Sequence, residues 1–421
     1  MEKKLLYGEE AINMKKPVSL FLFITIFSLN VFSEERFLNQ RIVDFTFDVP
    51  VNVSNNLIGT KDVFQDTVLI DFTQIADNMG DDGFALILNA KPHISLGLDI
   101  PQGLIFKVNV GLDLYSSIGI GKGLFDFLGY GNTVNEDINI DVSGFADLFI
   151  YTGLDIGWST KKFSLVVSPT VYSALAHVGV EDAKAVLKNS ESGEFSYDVK
   201  GTLAFYSDYF TPDLKSIDLE TLYTLDYKKL IENSGLDVSV SASYDLFRYL
   251  TVYGNARIPI YPCKISRCIP TVLASSMNAT IMDIGNPDFN YSITQGAPEE
   301  KEIKINRPLK FMLSGKFHPF NGVMDYYGGL GFGIEHPFAQ DGVEADFYLE
   351  YLLGMRLGFW NTLNFYLSTE LTDKIYIHKL MINFNIRVIE LKVGVSAESS
   401  SFVGSFRGNG AGAFVQVSCG F

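Results

Sequence analysis

Alternation of apolar and polar residues is the main pattern along this chain. In residues 236–246 every second side chain is apolar or aromatic, and the intervening ones are serine or aspartate. Successive side chains of a β-strand point to opposite faces, so this pattern predicts a strand that is wetted on one face. The same alternation recurs in residues 94–100, 104–114, 146–158, 163–171, 250–260, 309–317, 347–359, 363–371 and 389–395.

The length of these segments separates a membrane protein from a soluble one. Strands of soluble sandwiches are usually about five or six residues long, whereas a membrane-spanning strand needs about 9–11. Several segments here are that long, with a bulky apolar face and an opposite face of Ser, Gly, Asp, Lys and Glu. The pattern predicts an all-β fold, a transmembrane antiparallel β-barrel with apolar residues outside and polar residues inside.

Counting strands back from the C-terminus gives a consistent up-and-down order as far as residue 235. The predicted strands are 389–396, 375–385, 361–371, 345–358, 326–335, 307–317, 250–261 and 236–246, besides the last strand. The intervening segments 208–235, 262–305 and 397–411 are expected to be outer connections. Further upstream the order is not consistent, and we expect about 14 strands in total, within a range of 12–16.

The first residues have the layout of a secretory signal peptide. Met14 precedes Lys15 and Lys16, residues 18–31 carry no charge, and a short segment ending at Ser33 precedes Glu34. This predicts a start at Met14, with residues 1–33 as signal peptide plus an over-long start, and cleavage between Ser33 and Glu34. The alternative is an uncleaved anchor. Export together with a closed barrel indicates the bacterial outer membrane.

Three regions depart from simple alternation. Residues 34–83 are expected to form an N-terminal plug, or hatch, ahead of a barrel over 84–421; the alternative is that 43–49 is a first strand and the rest a loop. Residues 179–190 and 213–233 have helical patterns. The apolar stripe of the second predicts a ligand groove or a packed loop helix; its groove residues are Leu214, Ile217, Leu222, Leu225 and Leu230.

The last residues alternate and the chain ends in an aromatic residue. Val415, Val417 and Phe421 lie on one face of this segment. It resembles the terminal strand of bacterial outer-membrane proteins, which is recognised by the barrel-assembly machinery. The resemblance implies that machinery as a partner, besides the lipid bilayer.

Composition excludes some classes of function. Asp and Glu number 49 against 33 Lys and Arg, a net charge of −16, which argues against a nucleic-acid partner. The five histidines show no metal-site spacing, and no catalytic triad is supported, so we expect no enzyme, cofactor or metal. The charges on predicted lumen faces are expected to pair within the wall: Asp99, Lys107, Asp113, Asp237, Asp245, Arg257, Lys310, Glu350, Arg356 and Glu370.

The cysteines suggest one cross-link. Cys263 and Cys268 are separated by four residues in a predicted outer connection of an exported protein, so we expect a disulfide between them. Cys419 is expected on the lipid face without a partner.

Taken together, these features resemble the FadL-type outer-membrane transporters, and more narrowly the FadL-like proteins of spirochaetes. The resemblance is one of layout: signal peptide, plug, about fourteen strands and helical outer loops. It implies that long-chain fatty acids, or other hydrophobic small molecules, bind apolar outer loops. They would then enter the barrel and leave sideways through a gap beside a kinked strand. The alternatives are a porin-like diffusion channel and a surface adhesin anchored by a barrel.

Overall fold

A computed structural model describes most of the chain from Arg41 onward. The described residues are 41–57, 72–80, 83–100, 103–131, 138–189, 191, 194–210, 226–280, 288–319, 323–338, 345–359, 362–386 and 388–421. Met14, Ser33 and Glu34, on which the predicted signal peptide depends, lie outside them.

Nineteen strands and four helices are described within these ranges. The strands are β1 Val43–Asn55, β2 Phe84–Ala90, β3 His93–Asp99, β4 Leu104–Ile120, β5 Ile138–Ser159, β6 Phe163–Asn189, β7 Glu194–Tyr206, β8 Gly235–Phe247, β9 Leu250–Tyr261, β10 Cys263–Thr280, β11 Asp288–Gln295, β12 Glu299–Ile305, β13 Leu309–Phe317, β14 Met324–Glu335, β15 Asp346–Phe359, β16 Leu363–Thr372, β17 Ile375–Asn385, β18 Ile389–Ser399 and β19 Gly410–Gly420. The helices are α1 Phe72–Asn78, α2 Gly123–Tyr130, α3 Tyr227–Glu232 and α4 Phe402–Arg407.

All strand pairs are antiparallel, and the sheet closes on itself. The first strand, β1, pairs with the last, β19, from Asp44 opposite Gly420 to Ser54 opposite Gly410. Closure removes the free edges of the sheet, so backbone groups are satisfied without water. The predicted antiparallel β-barrel is confirmed.

The two faces of the wall differ as the alternation predicted. On β4, Leu104, Phe106 and Val108 are 51%, 41% and 47% exposed and face outward. Lys107 and Asn109, between them, line a cavity inside the barrel. An apolar outer surface of this kind places the barrel in a lipid bilayer. No helix among the described residues is long and apolar enough to span a membrane.

The nineteen strand segments outnumber the expected total of about 14, within a range of 12–16, because long runs of strand are interrupted at prolines. Strands β2 and β3 pair with β1 in one continuous register on either side of Lys91 and Pro92. Pro262 separates β9 from β10, and these two strands pair in turn with β13, β12 and β11. The breaks between those three contain Pro298 and Pro308. Proline has no N–H to donate to a ladder, so each interrupts the hydrogen bonding of an otherwise straight run.

Strands β7 and β8 are separated differently. Both are antiparallel to β6: β7 pairs with its residues 177–189, and β8 with its residues 163–172. Residues 207–210 and 226–234, between β7 and β8, lie outside the strands. Among the described residues, none pairs in a ladder with residues 173–176 of β6 on this side, so the wall is interrupted there.

The connections divide the barrel into two ends. Residues 248–249 join β8 to β9 and residues 160–162 join β5 to β6, at the end where the C-terminus lies. Helices α1, α2 and α4 lie in connections at the opposite end, and Thr73 of α1 donates a hydrogen bond to the carbonyl of Gly129 of α2. This is the arrangement expected of short inner turns and longer outer connections.

The N-terminal region differs from the expected plug. Residues 43–55 form β1, a wall strand whose Phe45 and Phe47 face outward while Thr46 and Asp48 are buried. The alternative interpretation, a first strand, is right for this segment, and its alternation is regular although Pro50 interrupts the polar pattern. Helix α1 packs on α2 at the outer end. The rest of the predicted plug, 34–40, 58–71 and 81–82, lies outside the described residues.

Two other expectations are corrected. The predicted helix at 179–190 is strand up to Asn189, because β7 pairs with it along its length. The expected outer connection 262–305 contains β10, β11 and β12, which extend the wall outward. Helix α4 occupies part of the connection expected at 397–411. In the predicted helical stripe at 213–233, only α3 and the residues around it are described.

Candidate functional site within the barrel lumen

Charged side chains from opposite walls meet across the lumen. Arg307, in the break between β12 and β13, donates to Asp113 of β4 at 2.8 Å and to Asp237 of β8 at 2.9 Å. All three residues are buried. Arg257 of β9 lies 3.9 Å from the same Asp113 carboxylate. Strands β4 and β13 are not neighbours in the sheet, so these contacts cross the lumen.

A second group of charged side chains also crosses the lumen. Asp373, in the turn between β16 and β17, accepts from Lys91 at 2.6 Å and from Lys310 at 2.5 Å. Lys310 also donates to Glu350 at 2.8 Å, and the hydroxyl of Tyr348 donates to Asp373 at 3.1 Å. The second group therefore joins the β2–β3 break to the far wall.

The two groups meet at one aromatic ring. The ammonium of Lys91 lies 4.7 Å from the ring centre of Tyr115, and Arg257 donates to the Tyr115 hydroxyl at 3.3 Å. We call the set the ionic belt: Lys91, Asp113, Asp237, Arg257, Arg307, Lys310, Glu350 and Asp373. Its four acidic and four basic residues balance, as buried charges require.

The expected ion pairing of lumen charges is present, although its geometry was not foreseen. Five of the ten residues lie in the belt. Arg356 pairs instead with Asp325 at 2.8 Å and Glu370 with Lys379 at 3.4 Å, both between nearby strands. Asp245 accepts from Thr251 at 2.8 Å. Asp99 and Lys107 line the cavity.

Three belt residues were missed from the sequence, namely Lys91, Arg307 and Asp373. None lies within an alternating segment: two stand in strand breaks and one in a turn. A signal was available, because Lys91 and Arg307 each directly precede a proline. Both side chains line the lumen, and the N–H of Lys91 still bonds the Pro50 carbonyl of β1 at 2.8 Å.

A polar cavity lies on the short-turn side of the belt. Its volume is about 530 Å³, and belt residues form one of its boundaries. Ser168, Ser239 and Asn255 are among its other lining residues. This half of the lumen is suited to water and not to hydrocarbon.

On the other side of the belt, part of the lumen is apolar. Eleven buried residues pack together there: Tyr115, Phe149, Tyr172, Ala174, Ala204, Tyr206, Cys263, Ile265, Cys268, Ile303 and Ile305. Phe149 makes edge contacts with the rings of Tyr115 and Tyr172, with ring centres 6.5 and 5.8 Å apart. We call this the apolar cluster. It occupies a position that a diffusion pore would fill with water.

The interruption of the wall lies directly beside this cluster. The hydroxyl of Ser207 donates to the Leu175 carbonyl at 2.7 Å, and its N–H to the Arg267 carbonyl at 3.1 Å. Asp208 accepts from the N–H of Ser266 at 3.1 Å and from the side chain of Asn233 at 2.9 Å. We call residues 173–176, 207–210, 226–234 and 262–267 the seam. In the part of the seam that the structure describes, isolated side-chain and irregular backbone bonds close it, instead of a strand ladder.

The apolar cluster and the seam share residues. Ala174, Cys263 and Ile265 belong to both, and each is fully buried. The seam therefore separates the apolar part of the lumen from the outer surface of the wall by a single layer of chain.

The predicted disulfide is wrong. Cys263 and Cys268 are both free and buried. They lie in the same strand, β10, where five residues span roughly 16 Å, while a disulfide needs Cα atoms within about 7 Å. The Cys263 thiol instead donates to the Ile305 carbonyl at 3.2 Å. Cys419 is exposed, as expected.

The remaining predicted site residues are only partly described. Leu230 lies half-buried in α3, while Leu214, Ile217, Leu222 and Leu225 of the predicted groove fall outside the described residues. Val415 and Val417 belong to β19, and Phe421 follows it with 77% of its surface exposed. The role of these three in barrel assembly stays a prediction.

Comparison with known proteins gives structural neighbours only. The toluene transporter TodX of P. putida superposes with a TM-score of 0.43 and 8% identity, covering 91% of this chain and 90% of TodX. The monoaromatic hydrocarbon channel CymD gives 0.40 and 8%, covering 91% and 89%. The translocator domain of the autotransporter NalP from Neisseria meningitidis gives 0.33 and 6%, covering 91% and 90%. At these identities and scores the similarities assign no function.

No family model matches the chain. No curated protein matches it either.

Proposed function

We propose that this protein carries hydrophobic molecules into a bacterial outer membrane by a lateral route. The cargo enters from the outer end, passes the apolar cluster and leaves the barrel through the seam. One observation carries the proposal: an apolar cluster fills part of the lumen directly beside an interruption of the wall.

The axial and lateral routes out of this part of the lumen differ in their free-energy cost for an apolar molecule. The axial route crosses the ionic belt and a polar cavity, where an apolar molecule would separate paired buried charges and lose its apolar surroundings. The lateral route crosses the few hydrogen bonds of the seam and ends in lipid, which is as apolar as the cluster. The belt therefore excludes water and ions while the seam admits hydrocarbon.

Long-chain fatty acids are the cargo that the FadL resemblance implies, and we retain them as the first candidate. A compact hydrocarbon is the second class to test, because the cluster is rich in aromatic rings. The proposal includes no catalysis and no cofactor. Its partners are the lipid bilayer, the barrel-assembly machinery and the cargo.

Transport is tested on the chain from Glu34 onward, refolded into lipid vesicles. Entry of a long-chain fatty acid, of a neutral hydrocarbon and of a small hydrophilic dye is compared with empty vesicles. We expect at least one hydrophobic probe to enter above background while the dye is excluded. Free passage of the dye would identify a porin-like channel, and passage of neither would favour a barrel that only anchors surface loops.

The route is tested by locking the seam. Ser207 and Arg267 lie opposite each other on hydrogen-bonded backbone, where antiparallel Cα atoms are about 5.5 Å apart, within reach of a disulfide. Ser207→Cys with Arg267→Cys, made with Cys263, Cys268 and Cys419 replaced by alanine, should stop hydrophobic uptake when oxidised and restore it when reduced. Equal uptake in both states would exclude the seam as the route.

A further inference from the structure

The connection between β18 and β19 folds back onto the outside of the barrel wall. On β17, Leu380, Ile382 and Phe384 point outward and are 48%, 43% and 43% exposed. Tyr376 and His378 lie on the same face, closer to the outer end, but are only partly exposed. Helix α4 covers these two, so it lies against the outer surface of the wall.

The helix shields a histidine that faces the lipid side. The two ring nitrogens of His378 lie 3.0 Å from the Ser405 hydroxyl and 3.1 Å from the Thr369 hydroxyl. The ring of Phe406 covers it, with ring centres 4.1 Å apart. Both polar atoms are thus satisfied without water, which is the condition for a polar group in a lipid-facing wall.

Both ends of this short helix are capped. The Ser401 hydroxyl accepts from the N–H of Gly404 at 3.1 Å. Gly408 adopts a left-handed conformation with φ 66°, and the N–H of Asn409 bonds the Gly404 carbonyl at 3.2 Å. Capping satisfies backbone groups that would be costly to bring near hydrocarbon.

The outward side of the helix is apolar. Phe402, Val403 and Phe406 are 50%, 60% and 67% exposed, and the two phenylalanine rings contact each other at 5.2 Å. The ring of Phe402 also contacts Tyr376, 5.6 Å away, so this surface continues the outward apolar surface of β17. Arg407 follows at the exposed end of the helix.

We propose that α4 is a lipid-contacting elbow, inserted into the membrane monolayer at the outer end of the barrel. Phe402, Val403 and Phe406 contact acyl chains, and Arg407 extends to the headgroups, as long cationic side chains do at an interface. The occupant is lipid and not a second protein, because the patch is continuous with a surface that already lies in the bilayer. The elbow fixes the height of this side of the barrel, independently of what the lumen carries.

Depth-dependent quenching of a single tryptophan tests the elbow. Both native tryptophans, Trp158 and Trp360, are changed to phenylalanine. Phe406→Trp and Val403→Trp are then made separately, because the first touches His378 and the second is a reporter that does not depend on this contact. Ile382→Trp serves as the acyl-chain reference and Tyr291→Trp, on the outer extension, as the water reference.

We expect both reporters to be quenched by lipids brominated near the headgroup end of the acyl chain. We also expect both to be protected from acrylamide as well as the reference Ile382→Trp. Acrylamide quenching equal to that of Tyr291→Trp would place the helix in water and overturn the proposal. Protection from both quenchers would show that another protein chain covers it, which also overturns the proposal.

Discussion

Two charged residues beside prolines supply cations to the ionic belt. Lys91 and Arg307 precede Pro92 and Pro308, and both stand in strand breaks. Lys91 reaches Asp373 and Arg307 reaches Asp113 across the lumen. The ionic belt is therefore built from residues of the wall strands and of the connections between them.

Arg307→Met should open an ion leak. The substitution leaves Asp113 and Asp237 buried without their closest cation, which costs about 3–5 kcal/mol when one partner of a buried pair is lost. We expect a cation-selective conductance in planar bilayers and a lower free energy of unfolding in urea. Arg356→Met is the matched control, because it removes an arginine that pairs with Asp325 along the wall. Equal conductance in both variants would show that the belt is not the seal.

Phe421→Ser should slow assembly in cells without weakening the folded barrel. The side chain is 77% exposed, while its backbone pairs with Val43 at 3.1 Å. The backbone bonds survive the substitution, so resistance of the refolded barrel to heating in detergent should be unchanged. A lower yield in the outer membrane, with normal refolding in vitro, would support recognition of the terminal residue. A normal yield would count against it.

At the level of elements, the break between β7 and β8 interrupts the ladder. A continuous strand would bond β6 on one side and β10 on the other, whereas the described residues of the seam are joined through Ser207, Asp208 and a few backbone groups. Such a segment opens at lower cost than the rest of the sheet.

Asp208→Ala should speed hydrophobic uptake. Its carboxylate holds Ser266 and Asn233 together, and hydrogen bonds to a charged group contribute about 1.5–3 kcal/mol. Losing them should increase the opening of the seam by roughly tenfold or more, since each 1.4 kcal/mol is a factor of ten. Asp226→Ala is the matched control within the seam, because Asp226 accepts from the N–H groups of Lys228 and Lys229 of its own helix and not from a residue across the seam. The vesicle assay should separate the two variants, and equal rates would argue against a seam-limited route.

At the scale of the whole molecule, the N-terminal segment is needed to close the sheet. Strand β1 pairs with β19 on one side and with β2 and β3 on the other. Removing it would leave two open edges in lipid, where unpaired backbone groups cost several kcal/mol each.

Deleting residues 34–80 should therefore abolish folding, instead of opening a channel. Replacing only residues 58–71 with a flexible linker keeps β1, and that variant should remain folded and electrically tight because the belt closes the lumen. Heat-shifted mobility on gels reports folding, and bilayer recording reports the seal. Conductance through the linker variant would show that residues 58–71 help to block the lumen, as the predicted hatch would.

Many strands of the barrel can be predicted from sequence, because the alternation that marks a strand is visible within a short segment. The eight strands placed between 236 and 396 all appear, with boundaries close to those predicted, since alternation with period two is visible within ten residues. The first strand was only the alternative interpretation of residues 43–49, because Pro50 disturbs an otherwise regular pattern. The segment 179–189 was assigned to helix because its pairing with β7 depends on residues that lie further along the chain.

The class of fold, the outward and inward faces and the closing strand at the C-terminus can be read from local patterns, because each depends on near neighbours in the chain. The folded barrel is needed to show which charges meet across the lumen, that the cysteines stay apart in one strand, and where the ladder is interrupted. These depend on contacts between strands far apart in sequence, such as Asp113 with Arg307. Closure of the sheet brings such residues together, and no pattern within a short stretch of sequence predicts which of them will meet.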